Sequence, residues 1–254
     1  MSSFLDRQPP WYEEWFDENY IDLYINRDDR DAAMQLDLIE KTLPLNKGPN
    51  GDSLLDAACG YGRHVAALLA RGYTKTRGID LSKTLIAHAH KKNPMLPIKV
   101  GDIRTLEKYE KPQSITAVLS LFTSFGYFAN DTDHLKALTS MHTVLKQKGW
   151  LWLDFLNPDH VKSTLKHENM KTTPTGKQFH EKRAIVKNRI VKTITVTLPN
   201  ATPQYYQESV LLYTKKELIG LAEKVGFSPQ HVFGDYTGAA ITKTSPRMIF
   251  VFQK

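Results

Sequence analysis

The sequence predicts an α/β fold, a doubly wound parallel sheet that carries a small antiparallel β insertion. From Ser53 to about residue 155, short apolar runs typical of buried strands alternate with helical segments. Between residues 168 and 213 this alternation stops, and runs rich in Ile, Val and Thr follow one another. The 254 residues, 41% of them hydrophobic, suffice for one sizeable core. One domain with an insertion after the fifth strand therefore fits better than two full domains.

Residues 11–43 are predicted to form two helices in front of this sheet. The second, over residues 31–43, has core candidates at Met34, Leu36, Leu38, Ile39 and Leu43. The first is aromatic and carries Trp11, Tyr12, Trp15, Phe16, Tyr20 and Tyr24. Two interpretations stay open for it. It packs onto the domain, or it forms a lid whose rings attract a positively charged ligand and exclude water. In the second case Tyr24 and Arg27 are the residues expected to touch the ligand.

The most informative stretch of the sequence is Ser53-Leu54-Leu55-Asp56-Ala57-Ala58-Cys59-Gly60-Tyr61-Gly62-Arg63-His64. It predicts a buried strand, a tight turn and a helix over residues 63–71. Gly60 and Gly62 allow the backbone to turn sharply and approach a ligand closely. A second strand, residues 77–80, ends in Asp80. In this arrangement a nucleotide lies across the strand ends, and the acid binds its ribose hydroxyls.

The charge around the glycines indicates which nucleotide. Ala66 occupies the third glycine position of the six-residue dinucleotide fingerprint, so that motif is not satisfied. Asp56 precedes the glycines and would repel a phosphate, whereas an ammonium or a sulfonium would be attracted. The predicted ligand is a nucleoside that carries positive charge.

These residues resemble a known family, the class I S-adenosylmethionine (SAM)-dependent methyltransferases. Asp56-Ala57-Ala58-Cys59-Gly60-Tyr61-Gly62 is similar to motif I, with Ala57-Ala58 in place of the commoner Leu-Gly. Gly78-Ile79-Asp80 and Gly101-Asp102-Ile103 resemble the next two strand-end motifs. Later segments are similar to a bacterial small-molecule subgroup, namely 119–128, Asp154-Phe155-Leu156-Asn157, Gly234-Asp235-Tyr236 and Ser245-Pro246-Arg247. The likeness extends over nearly the whole chain.

The resemblance implies a Rossmann-like seven-stranded sheet whose last strand is antiparallel, with SAM as cofactor and S-adenosylhomocysteine as product. It implies that Asp80 binds the ribose, that Asp102 and Ile103 hold the adenine, and that Asp56 and Arg63 lie near the amino-acid end. The complete predicted cofactor set is Tyr24, Arg27, Asp56, Ala58, Gly60, Gly62, Arg63, Asp80, Leu81, Asp102, Ile103 and Leu121. The predicted units are a helical lid (1–52), a cofactor domain (53–167 and 214–254) and an insertion over the substrate site (168–213).

The later elements complete the predicted sheet. Strands are expected at 97–100, 114–121, 149–155, 227–233 and 248–252, and helices at 83–92, 131–145 and 215–225, with Ser82 and Asp131 as caps. Asp56, Asp80, Asp102, residues 121–127 and residues 154–157 then all lie at carboxyl strand ends. Because ligands of such sheets bind outside those ends, the pattern predicts one site.

Methyl transfer needs proximity, alignment and a dry site more than it needs strong acid–base groups. An amine acceptor requires no strong base, whereas a hydroxyl would gain from one. The weak catalytic candidates near the expected methyl position are Tyr127, Asn157, Asp235, Tyr236 and Arg247. No histidine is predicted at a strand end, and no metal site is predicted, because His88 and His90 point to different sides of their helix.

One stretch, residues 160–192 at the start of the insertion and just before it, holds nine bases and two acids, an excess equal to the formal net charge of +7. Two interpretations stay open: attraction to an acidic substrate or RNA, and a solvated lysine face on exposed strands. Only Phe179 is aromatic there, unlike a platform for single-stranded nucleic acid.

A small-molecule N- or O-methyltransferase is therefore the favoured hypothesis, as a monomer or homodimer. An RNA methyltransferase and a catalytically silent SAM-binding protein are the alternatives. The N-terminal residues do not resemble a signal peptide, and no apolar run is long enough for a membrane helix. With Cys59 as the single cysteine, a reducing cytoplasm is the expected location.

Overall fold

The computed structural model describes residues 10–24, 29–199 and 201–254. The strands are β1 (Ser53–Ala57), β2 (Lys75–Asp80), β3 (Ile98–Val100), β4 (Ile115–Ser120), β5 (Leu145–Leu156), β6 (Glu168–Thr172), β7 (Gln178–Val186), β8 (Arg189–Thr197), β9 (Gln204–Leu211), β10 (Ser228–Phe233) and β11 (Arg247–Gln253). The helices are α1 (Trp11–Glu14), α2 (Glu18–Tyr24), α3 (Asp29–Thr42), α4 (Arg63–Ala70), α5 (Lys83–Lys92), α6 (Asp131–Val144), α7 (Pro158–Thr164) and α8 (Lys215–Lys224), with a 3₁₀ segment at Ile103–Lys108.

The main sheet has seven strands in the order β3-β2-β1-β4-β5-β11-β10, and the last strand of the chain, β11, runs antiparallel to β5 and β10. The first five strands are parallel. The predicted fold is therefore confirmed. The chain reverses direction across the sheet beside β1, because β2 and β4 lie on its two sides. Such a reversal opens a crevice at the carboxyl end of the strands.

Apolar side chains cover both faces of this sheet. On one face, α3 packs Leu36, Ile39 and Leu43 with Leu54 of β1 and Trp152 of β5, and all five are buried. The other face packs against α6 and α8. The core prediction for α3 is confirmed for its leucines and isoleucine. It is wrong for Met34, which is 42% exposed, because that position faces away from the sheet.

The predicted aromatic helix is interrupted, and α1 and α2 replace it. Asp17 lies in the break, where its Oδ1 accepts hydrogen bonds from the backbone N–H groups of Asn19 at 2.8 Å and Tyr20 at 3.3 Å. This side chain satisfies free amides of the first turn of α2 and so begins a new helix. A similar correction applies to α6, whose cap is Asn130 rather than Asp131.

The insertion is a four-stranded antiparallel sheet in the order β6-β7-β8-β9. Within the Ile-, Val- and Thr-rich region, β7 and β8 form a hairpin, with Lys187 and Asn188 at φ +46° and +58°. Both central residues of such a tight turn have positive φ, a geometry that matches the twist of the flanking strands. The helices α1 and α2 pack their aromatic side chains on the inner face of this sheet, around Phe179, Ile194 and Val196.

Among the described helices, none is long and apolar enough to cross a membrane.

Candidate active site at the carboxyl edge of the sheet

A cavity of about 330 Å³ lies where the carboxyl ends of the parallel strands meet α1, α2 and the insertion. All but two of the predicted cofactor residues line it: Tyr24, Asp56, Ala58, Gly60, Arg63, Asp80, Leu81, Asp102, Ile103 and Leu121. Arg27 lies outside the described residues. The sheet edge thus brings together side chains that are far apart in sequence.

Asp80 holds the glycine turn. Its Oδ2 accepts a hydrogen bond from the backbone N–H of Gly60 at 2.7 Å, and its Oδ1 accepts one from that of Ser82 at 2.8 Å. Burial raises the pKa of this carboxyl, and the two amide donors oppose the rise. Each oxygen keeps a further lone-pair position, so the same carboxylate is able to accept hydrogen bonds from two ribose hydroxyls.

The turn is built on positive φ angles, +67° at Ala58 and +58° at Gly60. Ala58 therefore adopts a conformation that costs an L-residue about 1–2 kcal/mol. The backbone N–H groups of Ala58 and Cys59 both donate to the carbonyl of Ile79, at 2.8 and 3.0 Å, and tie the turn to β2.

Gly62 does not line the cavity. It has φ +78°, and a Cβ on it would lie 2.6 Å from Leu96 Cδ2 and 3.2 Å from Ile98 Cδ1. Glycine is required here for chain direction and packing.

Asp56 is the least satisfied polar group of the site. It is buried, and neither carboxylate oxygen has a hydrogen-bond partner among the described residues. Burial raises its pKa to about 7, with a further contribution from Asp80 that Arg63 partly opposes. A buried carboxylate without a partner is costly, so it favours a cationic ligand beside it. The site thus fits the ammonium of an amino-acid group.

Asp102 already has a strong partner. Arg104 donates to it through its backbone N–H at 2.8 Å and its Nη2 at 2.6 Å, and its guanidinium lies over the Phe128 ring at 4.9 Å. The sequence interpretation did not include Arg104, which fixes the orientation of the Asp102 carboxylate at the end of β3.

His64 is a second residue that the sequence interpretation missed. It lines the cavity from the first turn of α4, and its Nε2 has no partner among the described residues. Burial, together with Arg63, lowers its pKa to about 3. The imidazole is therefore neutral near pH 7 and offers a hydrogen bond rather than a charge or an efficient proton acceptor. The sequence did offer one signal for His64, namely its position directly after Arg63 in the glycine-rich stretch.

The insertion contributes a polar wall to the cavity. Lys192 Nζ lies 2.6 Å from Glu208 Oε2, 3.3 Å from Glu181 Oε1 and 2.6 Å from the hydroxyl of Tyr24. Trp15 Nε1 donates to Glu208 Oε1 at 2.6 Å. Burial alone would lower the pKa of Lys192, but Glu208, Tyr24 and Glu181 raise it above its ordinary value. This cluster of one ammonium and two carboxylates joins the aromatic helices to the insertion.

The basic insertion is therefore only in part a solvated face. Arg189 is buried and donates to the carbonyls of Gly126 and Phe128 at 3.1 Å each, while Lys177 pairs with Asp22 at 2.5 Å. Lys182, at 63% side-chain exposure, does fit the solvated interpretation. For Lys192 the available signal was its spacing: it lies two and four residues from Ile194 and Val196, which places it on the same apolar face of β8.

The five catalytic candidates separate into three places. Tyr127 lines the cavity, and its ring lies 4.8 Å from that of Trp11. Tyr236 and Arg247 lie behind the wall and bind Asp154. Two others hold loops: Asn157 Nδ2 donates to the carbonyl of Ser245 at 2.7 Å, and Asp235 accepts from Thr237 N at 2.8 Å.

Comparison with known proteins gives a family model and several relatives. Residues 54–149 match a family model described as a methyltransferase domain. A Streptomyces venezuelae protein named dTDP-3-amino-3,4,6-trideoxy-alpha-D-glucopyranose N,N-dimethyltransferase is 31% identical over 50% of this chain and 51% of its own length. The chain is thus similar to methyltransferases, and residues 54–149 carry that likeness in the family model.

One further relative and one solved structure extend the match. A Streptomyces fradiae protein named dTDP-3-amino-3,6-dideoxy-alpha-D-glucopyranose N,N-dimethyltransferase is 26% identical over 76% of each chain. The chain thus spans about half the length of the first curated relative and three quarters of the second. A solved SAM-dependent methyltransferase from Clostridium acetobutylicum superposes with a TM-score of 0.75, at 14% identity, over 93% of this chain and 96% of its own; this likeness shows the fold.

Proposed function

We propose that this methyltransferase transfers the methyl group of SAM to the nitrogen of a small-molecule amine. The buried and unpartnered carboxylate of Asp56 carries the proposal, because it lies on the cavity beside the glycine turn and calls for a cation. The names of the relatives in Streptomyces, both N,N-dimethyltransferases, support nitrogen over oxygen. The neutral state of His64 agrees, since an oxygen acceptor would gain from a base with a pKa near neutrality.

Each part of the cavity then has a role. Asp56 would pair with the ammonium of the cofactor, Asp80 would bind its ribose hydroxyls, and Asp102 with Ile103 would hold the adenine. SAM supplies a methyl group that its sulfonium already activates. The protein therefore has to align the acceptor amine and exclude water, and the rings of Trp11, Phe16, Tyr20, Tyr24 and Tyr127 around the cavity serve both needs.

Residues 1–52 would act as the lid over this cavity and residues 168–213 as its substrate-side cover. We further propose a cytoplasmic enzyme that works as a monomer or a homodimer. A catalytically silent SAM-binding protein and an RNA methyltransferase are the alternative outcomes of the experiments below.

Calorimetric titration with SAM, S-adenosylhomocysteine and NAD tests the cofactor. We expect binding of the two adenosyl compounds and none of NAD, and an Asp56→Asn variant should bind S-adenosylhomocysteine about ten-fold more weakly or worse. Asp159→Asn removes an exposed carboxylate of α7 and is the matched control. If neither adenosyl compound binds, the proposal is wrong.

Transfer of a labelled methyl group from SAM to a panel of primary amines, sugars and RNA tests the acceptor. Amine labelling supports the proposed reaction. Labelling of RNA alone, or cofactor binding without labelling of any class, would assign the protein to one of the alternatives.

A further inference from the structure

The insertion strand β7 presents four side chains to the cavity side of its sheet, and their exposure increases along the strand. Phe179 and Glu181 are buried, Arg183 is intermediate and Ile185 is exposed. Alternate residues of a strand share one face, so these four lie in one row. Arg183 lines the cavity with 25% side-chain exposure, against 9% for Lys192 beside it. It therefore lies at the solvent side of the cavity.

The donors of Arg183 are largely unused. Among the described residues its guanidinium makes one contact, from Nη2 to Glu181 Oε2 at 2.8 Å. A guanidinium carries five N–H donors in a planar fork that matches a carboxylate or a phosphate. Lys192 differs, because its ammonium already faces Glu208, Glu181 and the hydroxyl of Tyr24. Arg183 is thus a lining cation of the insertion with spare hydrogen-bonding capacity.

Deeper in the cavity, the wall formed by the insertion offers no described cation with spare hydrogen-bond donors. Lys192 and Glu208 balance each other, and the neighbouring surface consists of aromatic rings together with Ile190 and Val210. An amine fits this interior, where rings attract a cation and carry no repelling charge. An anionic group fits the rim at Arg183.

We propose that Arg183 binds an anionic group, a carboxylate or a phosphate, at the end of the acceptor remote from the methylated amine. This rests on the proposed function, because it assigns the substrate class of that same cavity. The acceptor is then an amine with an acidic tail, bound with the amine inside and the tail at the rim.

Arg183→Gln tests the proposal and should fold, because Glu181 keeps Lys192 at 3.3 Å and Asn169 at 2.9 Å as partners. Lys182→Gln is the matched control: it removes the same charge from the neighbouring residue, on the opposite face of β7. Thermal unfolding of both variants with S-adenosylhomocysteine checks the fold and the cofactor site.

Binding is measured by calorimetry on protein saturated with S-adenosylhomocysteine. The probes are glucosamine 6-phosphate against glucosamine, and 6-aminohexanoate against hexylamine. We expect at least one anionic probe to bind more tightly than its neutral counterpart, and Arg183→Gln to weaken that binding about ten-fold. Lys182→Gln should change it less than two-fold. The pair that responds identifies phosphate or carboxylate as the tail.

Preference for neither anionic probe would overturn the proposal, as would equal losses in the two variants or none in Arg183→Gln. If S-adenosylhomocysteine itself does not bind, the failure belongs to the proposed function instead.

Discussion

Arg247 Nε donates to Asp154 Oδ1 at 2.7 Å, behind the wall of the active site. The other carboxylate oxygen accepts from the hydroxyl of Tyr236 at 2.9 Å and from the backbone N–H of Phe122 at 3.0 Å. Phe122 and Thr123 line the cavity with φ of +56° and +62°. The ion pair therefore supports a loop conformation that these residues do not prefer by themselves, and it acts on the cavity from outside.

The ion pair and the hydrogen bonds of Asp154 give a first prediction. Arg247→Met should lower the free energy of unfolding by about 3–5 kcal/mol, because it leaves a buried carboxylate without its cation. Tyr236→Phe should cost only about 1 kcal/mol, since it removes one hydrogen bond and little volume. Urea unfolding of both variants is the measurement. Equal losses would show that the pairing with Arg247 is not the dominant interaction.

The raised pKa of Asp56, about 7, predicts a pH dependence of stability. Between about pH 4 and pH 7 the folded carboxyl binds a proton that the unfolded one has lost, so the stability of the parent falls as the pH rises through this range. The Asp56→Asn variant has no carboxyl at this position, so its stability lacks this dependence on pH. It should approach the parent near pH 4 and exceed it by about 2–4 kcal/mol at pH 8.

Urea unfolding at several pH values tests this, with Asp159→Asn as the control that should follow the parent throughout. A stability difference for Asp56→Asn that does not change with pH would refute the raised pKa. The same variant should bind S-adenosylhomocysteine more weakly, so stability and affinity move in opposite directions. That combination is typical of a group kept for binding at a cost to the fold.

Gly62 allows the energetic cost of steric overlap to be separated from the cost of a positive φ angle. Gly62→Ala places a methyl group 2.6 Å from Leu96 Cδ2 at φ +78°, whereas Gly176→Ala has the similar φ of +80° and no atom within 4 Å. Both variants pay for the left-handed conformation. Gly62→Ala should lose about 1–3 kcal/mol more, the typical cost of overpacking. Thermal or urea unfolding of the pair measures the difference, and indistinguishable variants would mean that Leu96 moves aside freely.

The Lys192 cluster predicts a non-additive pair of substitutions. Lys192→Met leaves Glu208 and Glu181 without their shared cation and should cost about 3–5 kcal/mol. The double variant Lys192→Met with Glu208→Gln should recover part of that loss, since one of the two carboxylates is neutralised. Urea unfolding of the parent, the two single variants and the double variant measures whether the losses add. Additive losses would indicate that the two residues do not interact in solution.

Local pattern was sufficient for the main sheet and for most of the cavity wall at the strand ends. Strands β1 and β4 are predicted by their apolar runs, and the acids Asp56 and Asp80 are predicted by their positions in the chain. The carboxyl ends of parallel strands must share one edge, so residues at those ends meet without further information. This is why the predicted strand-end residues, such as Asp56, Asp80 and Asp102, line one cavity.

The cavity wall formed by the insertion did not follow from pattern. Glu208 and Lys192 face each other across two antiparallel strands, and their pairing depends on the register of β8 and β9. A shift of β9 by one residue would turn Glu208 to the other face, away from Lys192. In the same way, Tyr236 and Arg247 lie close to strand ends in the sequence but contact Asp154 behind the wall.

The sequence by itself determined the sheet, the glycine turn and the acids beside it, because short-range periodicity and strand polarity dictate them. Only the tertiary structure decided which charges of the insertion face the cavity, and which of them, like Lys192, are already paired there. Those roles arise from contacts between residues more than one hundred positions apart, such as Trp15 with Glu208 and Tyr24 with Lys192. Local sequence pattern does not indicate such contacts, because they form only when the insertion packs against the aromatic helices.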